Sequence, residues 1–272
     1  MTHVLVTGGT GTLGRELVNL LRQNGHTVRI MSRRPQPASL PSNTEWVQAY
    51  LATGQGIAEA VRDVQVIFHA ASASIRRGGR QVDVDGTRLM LQAAKQANVE
   101  HIINISIVGI ERIPFSYYQT KLAAEKVVAE SGVPWSNLRA TQFHNFIDLL
   151  FTAASRLPLI MPLPTDFVSQ PVEVTEVAAR MVRIMDEGPS GQLPDFGGPE
   201  VLRFGDMVHS WLRARHMNRL VVRMPLWGKV AEGFRKGYHT NMQGDKGTVR
   251  WAEWLERTYT KGERANERLF QS

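Results

Sequence analysis

A glycine-rich segment near the start of the chain has the residue types and spacing of a phosphate-binding loop. Gly9, Gly11 and Gly14 satisfy the pattern GxGxxG, and Gly8 begins an overlapping GxxGxxG run. A glycine turn lets the backbone approach a pyrophosphate closely, and the unpaired N–H groups at a helix start attract its negative charge. The pattern predicts a dinucleotide site, whose contacts are expected from Gly8, Thr10, Gly11, Thr12, Leu13 and Gly14.

The flanking residues supply the strand and the helix that such a loop requires. The apolar run 3–7 predicts a strand, and residues 13–24 predict a helix that Gly25 ends. A glycine pattern between a strand and a helix is far more specific for dinucleotide binding than the same pattern alone. The alternative, an ordinary glycine-rich turn, is disfavoured by this placement.

The second predicted strand ends in Ser32-Arg33-Arg34, where proteins selective for NAD carry a carboxylate that binds the ribose. A carboxylate would repel the 2′-phosphate of NADP, whereas a guanidinium makes charge-assisted hydrogen bonds to it and a serine hydroxyl can donate one more. We therefore expect NADP(H) to be preferred over NAD(H). Arg33, the first residue after the strand, is the expected main phosphate ligand. The alternative is that both arginines are merely solvated.

Short apolar runs alternate with segments of helical period through the first 140 residues. This alternation is typical of βαβ units, and nearly continuous apolar strands indicate that helices cover both sheet faces. The predicted fold class is α/β, a Rossmann doubly wound parallel sheet with a smaller C-terminal α/β substrate lobe. Strands are predicted over residues 3–7, 27–32, 45–49, 64–70, 101–107 and 134–139, and the clearest helices over 13–24, 81–97 and 117–131.

Beyond about residue 141 the pattern changes to proline-rich, strand-like pieces between helices. Helices are predicted over 175–187, 204–215 and 248–259, with Thr175 as a cap and Trp251 and Trp254 in the core. We expect a NAD(P)-binding Rossmann domain over residues 1–145. Residues 146–272 are expected to form a smaller lobe for substrate or partner, packed on the first and not fully independent.

The net charge of +7 is unevenly distributed along the chain. Residues 1–200 are balanced, and the whole excess lies in residues 201–272, where basic residues are interleaved with apolar ones. This pattern predicts solvated helix and strand faces and disfavours nucleic acid as a partner. An anionic partner or a membrane surface is the alternative.

Several classes of protein are disfavoured by the composition. The absence of cysteine excludes disulfides and thiolate catalysis, and the eight histidines form no HxxxH or HExxH pattern, so no metal site is expected. No apolar stretch approaches the roughly 18 residues of a membrane span, and the first residues do not resemble a secretory leader. We expect a cytoplasmic protein, monomeric or homodimeric.

Four motifs together resemble the short-chain dehydrogenase/reductase superfamily. They are the glycine loop, His69-Ala70-Ala71-Ser72, Asp83-Val84-Asp85-Gly86-Thr87 and Tyr117-x-x-x-Lys121, all within roughly the first 145 residues. The resemblance is greatest to the atypical or extended branch, with its NmrA-like NAD(P)-binding proteins, and Phe196-Gly197-Gly198-Pro199-Glu200 is similar to that branch too. Asp83 departs from the family's asparagine, and Tyr50 stands where many relatives carry an aspartate near the adenine.

The resemblance implies a catalytic group of Tyr117, Lys121 and Ser106. Tyrosine and lysine four positions apart share a helix face, so Lys121 is expected to lower the pKa of Tyr117 and to bind the nicotinamide ribose. Tyr117 would be the general acid, and Ser106 would anchor the substrate oxygen. Ala70, Ala71 and Ser72 would line the cofactor at the carboxyl edge of the sheet.

Residues that follow the sixth strand are expected at the nicotinamide end of the site. Phe143 and His144 lie there, and His144 is a candidate for positioning or protonating a substrate, against the alternative of a structural histidine. Met161, Pro162 and Phe167 are apolar candidates for the same pocket. An apolar pocket favours a quinone, enone or aromatic substrate over a sugar nucleotide.

The sequence thus favours an NADPH-dependent oxidoreductase that transfers hydride to a small, apolar carbonyl, quinone or imine. One alternative is a non-catalytic, NmrA-like protein that senses NADP(H) and signals to a protein partner through its basic C-terminal lobe. A sugar-nucleotide epimerase or dehydratase is disfavoured, because only 11 positions separate Ser106 from Tyr117.

Overall fold

The first half of the chain forms a parallel sheet from the six predicted strands. The computed structural model describes residues 1–73 and 79–260, and each strand ends within two residues of its predicted position. In chain order the elements are β1 (His3–Thr7), α1 (Thr12–Gln23), β2 (Thr27–Ser32), β3 (Thr44–Gln48), α2 (Ile57–Val61), β4 (Val66–His69), a π-helical turn (Gln81–Gly86), α3 (Thr87–Gln96), β5 (His101–Ile107), α4 (Ser116–Ala129) and β6 (Trp135–Ala140).

The strand order defines where a ligand binds. β1 pairs with both β2 and β4, and the parallel order runs β3-β2-β1-β4-β5-β6. The direction of winding therefore reverses between β1 and β4, and ligands of open α/β sheets bind outside the carboxyl ends of the strands at such a point. The predicted Rossmann doubly wound parallel sheet is confirmed.

Helices cover both faces of this sheet, which explains the continuous apolar strands. Phe68 of β4 points into the layer under α1, and its neighbour Ile67 points into the layer under α2 and α3. Neither side chain is exposed. Successive strand residues alternate between faces, so a strand buried on both sides needs apolar residues throughout.

The second half of the chain is divided between the main sheet and a separate small lobe. Its elements are α5 (His144–Ala154), β7 (Ile160–Leu163), β8 (Val168–Ser169), α6 (Val174–Glu187), β9 (Gly191–Gln192), β10 (Phe196–Gly197), β11 (Leu202–Arg203), α7 (Phe204–Ala214), β12 (Leu220–Arg223), α8 (Lys229–Arg235), β13 (Asp245–Lys246), α9 (Trp251–Leu255) and a final π-helical turn (Glu256–Thr260).

Part of this half belongs to the Rossmann body. β9 and β10 both pair with β6, β13 extends the sheet beyond β10, and α6 packs along α1. The small lobe consists mainly of α5, α7, α9 and the parallel pair β7–β12. A single boundary at residue 145 therefore does not separate two bodies in space.

Three helices differ locally from their predictions. The helix predicted over 248–259 begins only at Trp251 and becomes a π-helical turn after Leu255. Residues 81–97 form two geometries, a π-helical turn followed by α3, and π-helical turns are frequent at functional sites. Helix α6 begins at Val174, so Thr175 lies inside the helix and does not cap it. Glu173 occupies the cap position, and its carboxylate accepts a hydrogen bond from Arg257.

His144 and Met161 lie in the core of the small lobe, so their predicted place in the substrate pocket is wrong. The His144 ring stacks on Trp251 and Trp254, at centroid distances of 5.8 and 5.6 Å, and neither its side chain nor that of Met161 is exposed. Both ring nitrogens of His144 are buried without a hydrogen-bond partner among the described residues. His144 fills the place of an aromatic core residue because the α5 start packs against α9.

The buried imidazole of His144 makes the stability depend on pH. Burial lowers the pKa of His144 from 6.5 to about 3, and the positive charge of Arg257 adds to this effect. Below pH 6.5 His144 is protonated in the unfolded chain but stays neutral in the folded chain. The contribution of this group therefore lowers the free energy of unfolding by about 1.4 kcal/mol per pH unit.

His144→Phe keeps the stacked ring and removes the titration. We expect the free energy of unfolding of the variant to fall less steeply than that of the wild type between pH 6.5 and 4, as measured by denaturant unfolding. The other histidines contribute equally to both proteins. Parallel curves for the two proteins would show that His144 is not buried in its neutral form.

Candidate active site

The glycine loop between β1 and α1 is shaped by close backbone contacts. A Cβ atom on Gly14 would lie 2.1 Å from the Gly8 carbonyl oxygen, and one on Gly8 would lie 2.8 Å from Ala71 Cα. Gly8 has a φ of +68°, and its carbonyl accepts a hydrogen bond of 2.8 Å from Gly11 N–H. Only glycine allows this approach of the loop to α1 and to the end of β4.

The N-terminus of α1 fits the pyrophosphate of a dinucleotide. Gly11 occupies the cap position without a side-chain hydrogen bond, and the first turn contains no acidic residue. The first N–H groups of the helix are therefore not capped by a side chain, and the helix dipole is not offset by a nearby carboxylate. A phosphate bound to these N–H groups would lie beside the switch point of the sheet.

The loop after β2 has a fixed backbone and exposed arginines. Ser32 Oγ accepts a hydrogen bond from Arg34 N–H at 3.1 Å, while Gln48 and Trp46 donate to the carbonyls of Arg33 and Arg34, each at 3.1 Å. Both guanidinium groups are exposed and make no hydrogen bond or ion pair with another described side chain. Their charge is thus available to a ligand at the carboxyl end of β2.

A directed chain of hydrogen bonds joins three elements beneath the site. Thr87 donates its hydroxyl proton to the Asp83 carbonyl at 2.8 Å, so its Oγ1 accepts from His69 Nε2 at 2.9 Å. His69 Nδ1 must then accept from Thr7 Oγ1 at 2.9 Å, and Thr7 Oγ1 accepts in turn from Ala71 N–H at 3.2 Å. The bond directions assign the neutral Nε2–H tautomer to His69. Burial and the charge of Lys121 lower the pKa of His69 to about 3, in agreement with that tautomer.

Tyr117 is connected to a buried carboxylate through Ser72. Ser72 Oγ donates to Asp83 Oδ2 at 3.1 Å, so Tyr117 O–H donates to Ser72 Oγ at 3.4 Å. Ala73 N–H holds the other carboxylate oxygen of Asp83 at 2.8 Å. The π-helical turn carries Asp83 to this position, next to the end of β4.

Lys121 lies one helical turn after Tyr117, with its ammonium buried. Its Nζ donates to the Ile105 carbonyl at 3.0 Å. Burial lowers the pKa of Lys121, and the negative charges of Asp83 and Glu125 oppose that shift. Glu125 is itself bound by both arms of Arg139, at 2.7 and 3.0 Å, and Arg139 also binds Glu111.

The expectation that Lys121 lowers the pKa of Tyr117 is wrong for this arrangement. Burial raises the pKa of Tyr117, and the negative charge of Asp83 raises it further. Lys121 instead directs its ammonium to Ile105. Tyr117 therefore carries its proton at neutral pH, as a proton donor must.

Ser106 lies at the end of β5 and lines the same cavity as Tyr117 and Lys121. Its hydroxyl is buried and has no hydrogen-bond partner among the described residues, although it lies close enough to Glu125 to help lower the pKa of that carboxyl. The short segment between Ser106 and Tyr117 does not separate them. The structure thus brings the three predicted catalytic candidates to one place, and their roles remain predictions.

A largely apolar cavity of about 720 Å³ opens next to these residues, between the carboxyl edge of the sheet and α5. Thr12, Leu13, Ala70 and Ser72 line its cofactor side, and Phe143 and Phe167 line its far side. Lys121 and the neutral His239 are the only basic residues that line it within the described part of the chain, and no described carboxylate lines it. Sequence reasoning missed Phe115, Gln142, Phe146, Leu149, Leu150 and Phe234.

The fold and the glycine loop define a dinucleotide-binding Rossmann protein, and comparisons with known proteins agree. The sequence profile described as NAD(P)H-binding matches residues 8–187. The chain belongs to this NAD(P)H-binding family, and its motifs resemble those of the short-chain dehydrogenase/reductase superfamily.

Two curated relatives and one solved structure show the extent of the similarity. Sterol demethylase protein B of Methylococcus capsulatus is 38% identical over 227 residues, which cover 69% of this chain and 67% of that protein. A 3-beta-hydroxysteroid dehydrogenase of Mycolicibacterium neoaurum is 33% identical over 154 residues, covering 46% of this chain and 42% of that protein. The match to that dehydrogenase thus spans less than half of its length.

The structural similarity extends over almost the whole chain. A UDP-glucose 4-epimerase of Thermotoga maritima superimposes with a TM-score of 0.77 at 15% identity, covering 97% of this chain and 99% of that one. At this identity the similarity establishes the fold alone. Across residues 1–73 and 79–260, none of the helices combines the length and hydrophobicity that spanning a bilayer requires.

The carboxylate of Asp83 offers a direct test of the site's electrostatics. Asp83→Asn keeps the size of the side chain and removes a negative charge that raises the pKa of Tyr117. We expect the pKa of Tyr117 to fall in the variant, because a nearby like charge no longer disfavours the tyrosinate.

The measurement is an ultraviolet titration of tyrosine ionisation in the wild type, in Asp83→Asn and in each protein carrying Tyr117→Phe as the spectral reference. Asp85→Asn, on the exposed side of the same turn, is the matched control and should leave the titration of Tyr117 in place. An unchanged Tyr117 titration in Asp83→Asn would contradict the assigned geometry.

Proposed function

We propose that the chain is an NADPH-dependent oxidoreductase that reduces an apolar carbonyl, quinone or imine. The observation that carries this proposal is the position of Tyr117, Lys121 and Ser106 on one wall of an apolar cavity. That wall lies at the carboxyl edge of the sheet, where the glycine loop directs a bound dinucleotide. A cavity of about 720 Å³ is within the range that holds drug-sized ligands.

Each polar residue of the wall would have one task. A bound NADPH would supply the hydride. Tyr117, which holds its proton at neutral pH because burial raises its pKa, would donate that proton to the substrate oxygen or nitrogen. Ser106 Oγ, a buried hydroxyl without a partner among the described residues, would donate a hydrogen bond to the same atom. Lys121 would hold the cofactor ribose, and its positive charge would stabilise the negative charge that develops on the substrate as hydride is transferred.

The cavity lining favours an apolar substrate over a sugar nucleotide. A nucleotide diphosphate needs several cations or clustered backbone donors, and a sugar needs many polar partners. Phe115, Phe143, Phe146 and Phe167 dominate the walls instead, with Lys121 as the charged residue among the described lining. The names of the two curated relatives, a sterol demethylase protein and a hydroxysteroid dehydrogenase, are compatible with a polycyclic, lipid-like substrate.

The preference for NADP rests on the loop after β2. Arg33→Ala should weaken NADPH binding by about 10- to 100-fold, the value of a lost hydrogen bond between charged groups, and leave NADH binding nearly unchanged. Isothermal titration with both cofactors measures the difference. Arg183→Ala, which removes an exposed guanidinium from α6, is the control. Equal losses for NADPH and NADH would contradict the assignment of Arg33 to the 2′-phosphate.

Catalysis is tested by removing one hydroxyl from the site. We expect purified protein to oxidise NADPH with a member of a panel of quinones, long-chain aldehydes, polycyclic ketones and cyclic imines. Tyr117→Phe should lower kcat by about 100- to 10,000-fold through loss of the general acid and leave NADPH affinity within threefold.

Tyr118→Phe is the matched control, because it removes a hydroxyl from the same cavity at the position three, rather than four, residues before Lys121. It should lower turnover by less than tenfold. Full turnover in Tyr117→Phe would show that another group is the acid. Tight NADPH binding without turnover of any substrate would favour the non-catalytic sensor instead.

A further inference from the structure

The parallel strand pair β7–β12 carries an apolar face on its outer side. Leu220 lies opposite Ile160 and Val222 lies opposite Pro162, so these four residues share one face of the pair. Leu220 is 67% exposed and Ile160 is 42% exposed. The alternate residues of β7, Met161 and Leu163, face the core. The opposite side of the strand pair faces solvent and would ordinarily be polar, yet it is apolar as well.

Helix α5 continues this apolar face towards the cavity. Its exposed residues Phe146, Leu149, Leu150 and Ala153 follow the spacing i, i+3, i+4 and i+7, which places them on one stripe, while Ile147 and Phe151 point into the core. Phe146, Leu149 and Leu150 also line the cavity. We define the docking surface as the outward faces of α5 and of the β7–β12 pair together with the loop that ends at Trp227.

Cations outnumber carboxylates in the sequence segments that build this surface, and the one acidic residue of α5, Asp148, accepts hydrogen bonds from Trp211 and Tyr259. Residues 149–165 and 207–231 contain no aspartate or glutamate. They carry six cations, namely Arg156, Arg213, Arg215, Arg219, Arg223 and Lys229. The basic excess of the second half is therefore concentrated in the segments that form the exposed apolar face.

We propose that the docking surface binds an anionic lipid bilayer and brings the mouth of the cavity to the lipid. Exposed apolar side chains beside arginine and lysine are the combination that inserts into an interface and attracts acidic headgroups. Trp227 is 82% exposed, and an indole is well suited to the boundary between lipid and water. Arg235 donates to the Leu226 carbonyl and to Asp166, which fixes the loop that presents Trp227.

A second copy of the chain fits this surface less well than a bilayer. A twofold contact would place the same patch against itself, so the exposed Arg156 and Lys229 of each copy would face a surface of like charge. Like charges across an interface cost several kcal/mol, whereas acidic lipids neutralise them. The docking itself does not depend on the proposed chemistry; the delivery of a lipid-like substrate from the bilayer rests on the proposed function.

The experiment is flotation of the purified full chain with extruded vesicles, without cofactor or substrate. Vesicles of phosphatidylcholine are compared with vesicles of equal parts phosphatidylcholine and phosphatidylglycerol. Electrostatic attraction between these cations and the acidic headgroups predicts partitioning that is at least tenfold stronger into the anionic vesicles. Raising the salt concentration from 0.05 to 0.5 M should remove most of that difference, because the interaction is screened.

Variants distinguish binding through this apolar face from non-specific hydrophobic binding of the protein to vesicles. Leu159→Glu/Leu220→Glu, at two exposed positions that do not line the cavity, should lower partitioning by at least tenfold. Val222→Glu should also weaken it, whereas Leu89→Glu on α3 should not. This pair is matched because Val222 is 39% exposed and Leu89 is 38% exposed. Arg156→Glu/Lys229→Glu keeps the apolar face and should abolish the preference for anionic lipid.

Three results would overturn the proposal. They are an absence of wild-type binding to anionic vesicles, equal binding to both vesicle types, and equal losses in Val222→Glu and Leu89→Glu. A stable dimer in analytical ultracentrifugation that Leu220→Glu dissociates, without vesicle binding, would assign the surface to a second copy. Because no turnover is measured, failure of the proposed reductase activity would leave these outcomes unaffected.

Discussion

The buried ammonium of Lys121 is the constraint on which the site depends. A charge removed from water must be compensated by opposite charge and hydrogen bonds, or it is neutralised. The Ile105 carbonyl accepts its hydrogen bond, and the charges of Asp83 and Glu125 flank it. These contacts anchor α4 against β5 and bring the π-helical turn that carries Asp83 up to α4. Tyr117, one turn earlier on α4, is positioned by the same contacts.

A row of alternating negative and positive side chains extends outward from Lys121, and each charge is compensated by its neighbours. Glu125 is held by Arg139, and Arg139 is shared with Glu111 nearer the surface. Burial alone would raise the pKa of Glu125, but the hydrogen bonds from Arg139 outweigh it and lower that pKa. Glu125 can thus remain charged beside Lys121. Burial raises the pKa of Tyr117, and Asp83, in place of the family's asparagine, adds a negative charge that raises it further.

The sequence patterns that are local predicted the fold well. Six strands, the glycine loop and the helix that follows it each depend on neighbours within a few residues, and each forms near its predicted place. The Tyr117 and Lys121 spacing likewise depends on one helix. The return of β9, β10 and β13 to the main sheet was not predicted, because pairs or triplets of strand residues carry no periodic signal.

Features that join distant segments could not be predicted. The chain from Thr7 through His69 to Thr87 links three elements and has no motif of its own. His144 looked like a pocket residue from its position after β6, but stacking on Trp251 and Trp254 takes it into the core. The apolar stripe of α5 was missed because a stripe at helical spacing ordinarily faces a core, and only the structure shows that it faces outward.

The central claim is that hydride passes from a nicotinamide to an apolar substrate at the wall formed by Tyr117, Lys121 and Ser106. The most direct measurement is mass spectrometry of the product formed from an apolar ketone with NADPH stereospecifically deuterated at C4, using each of the two C4 epimers separately. The account predicts one deuterium on the former carbonyl carbon with one epimer and none with the other. Only one face of the nicotinamide would be turned towards the substrate, so only one of the two C4 hydrogens would be transferred. Reduced product that carries no deuterium with either epimer, or that carries deuterium with both, would contradict it.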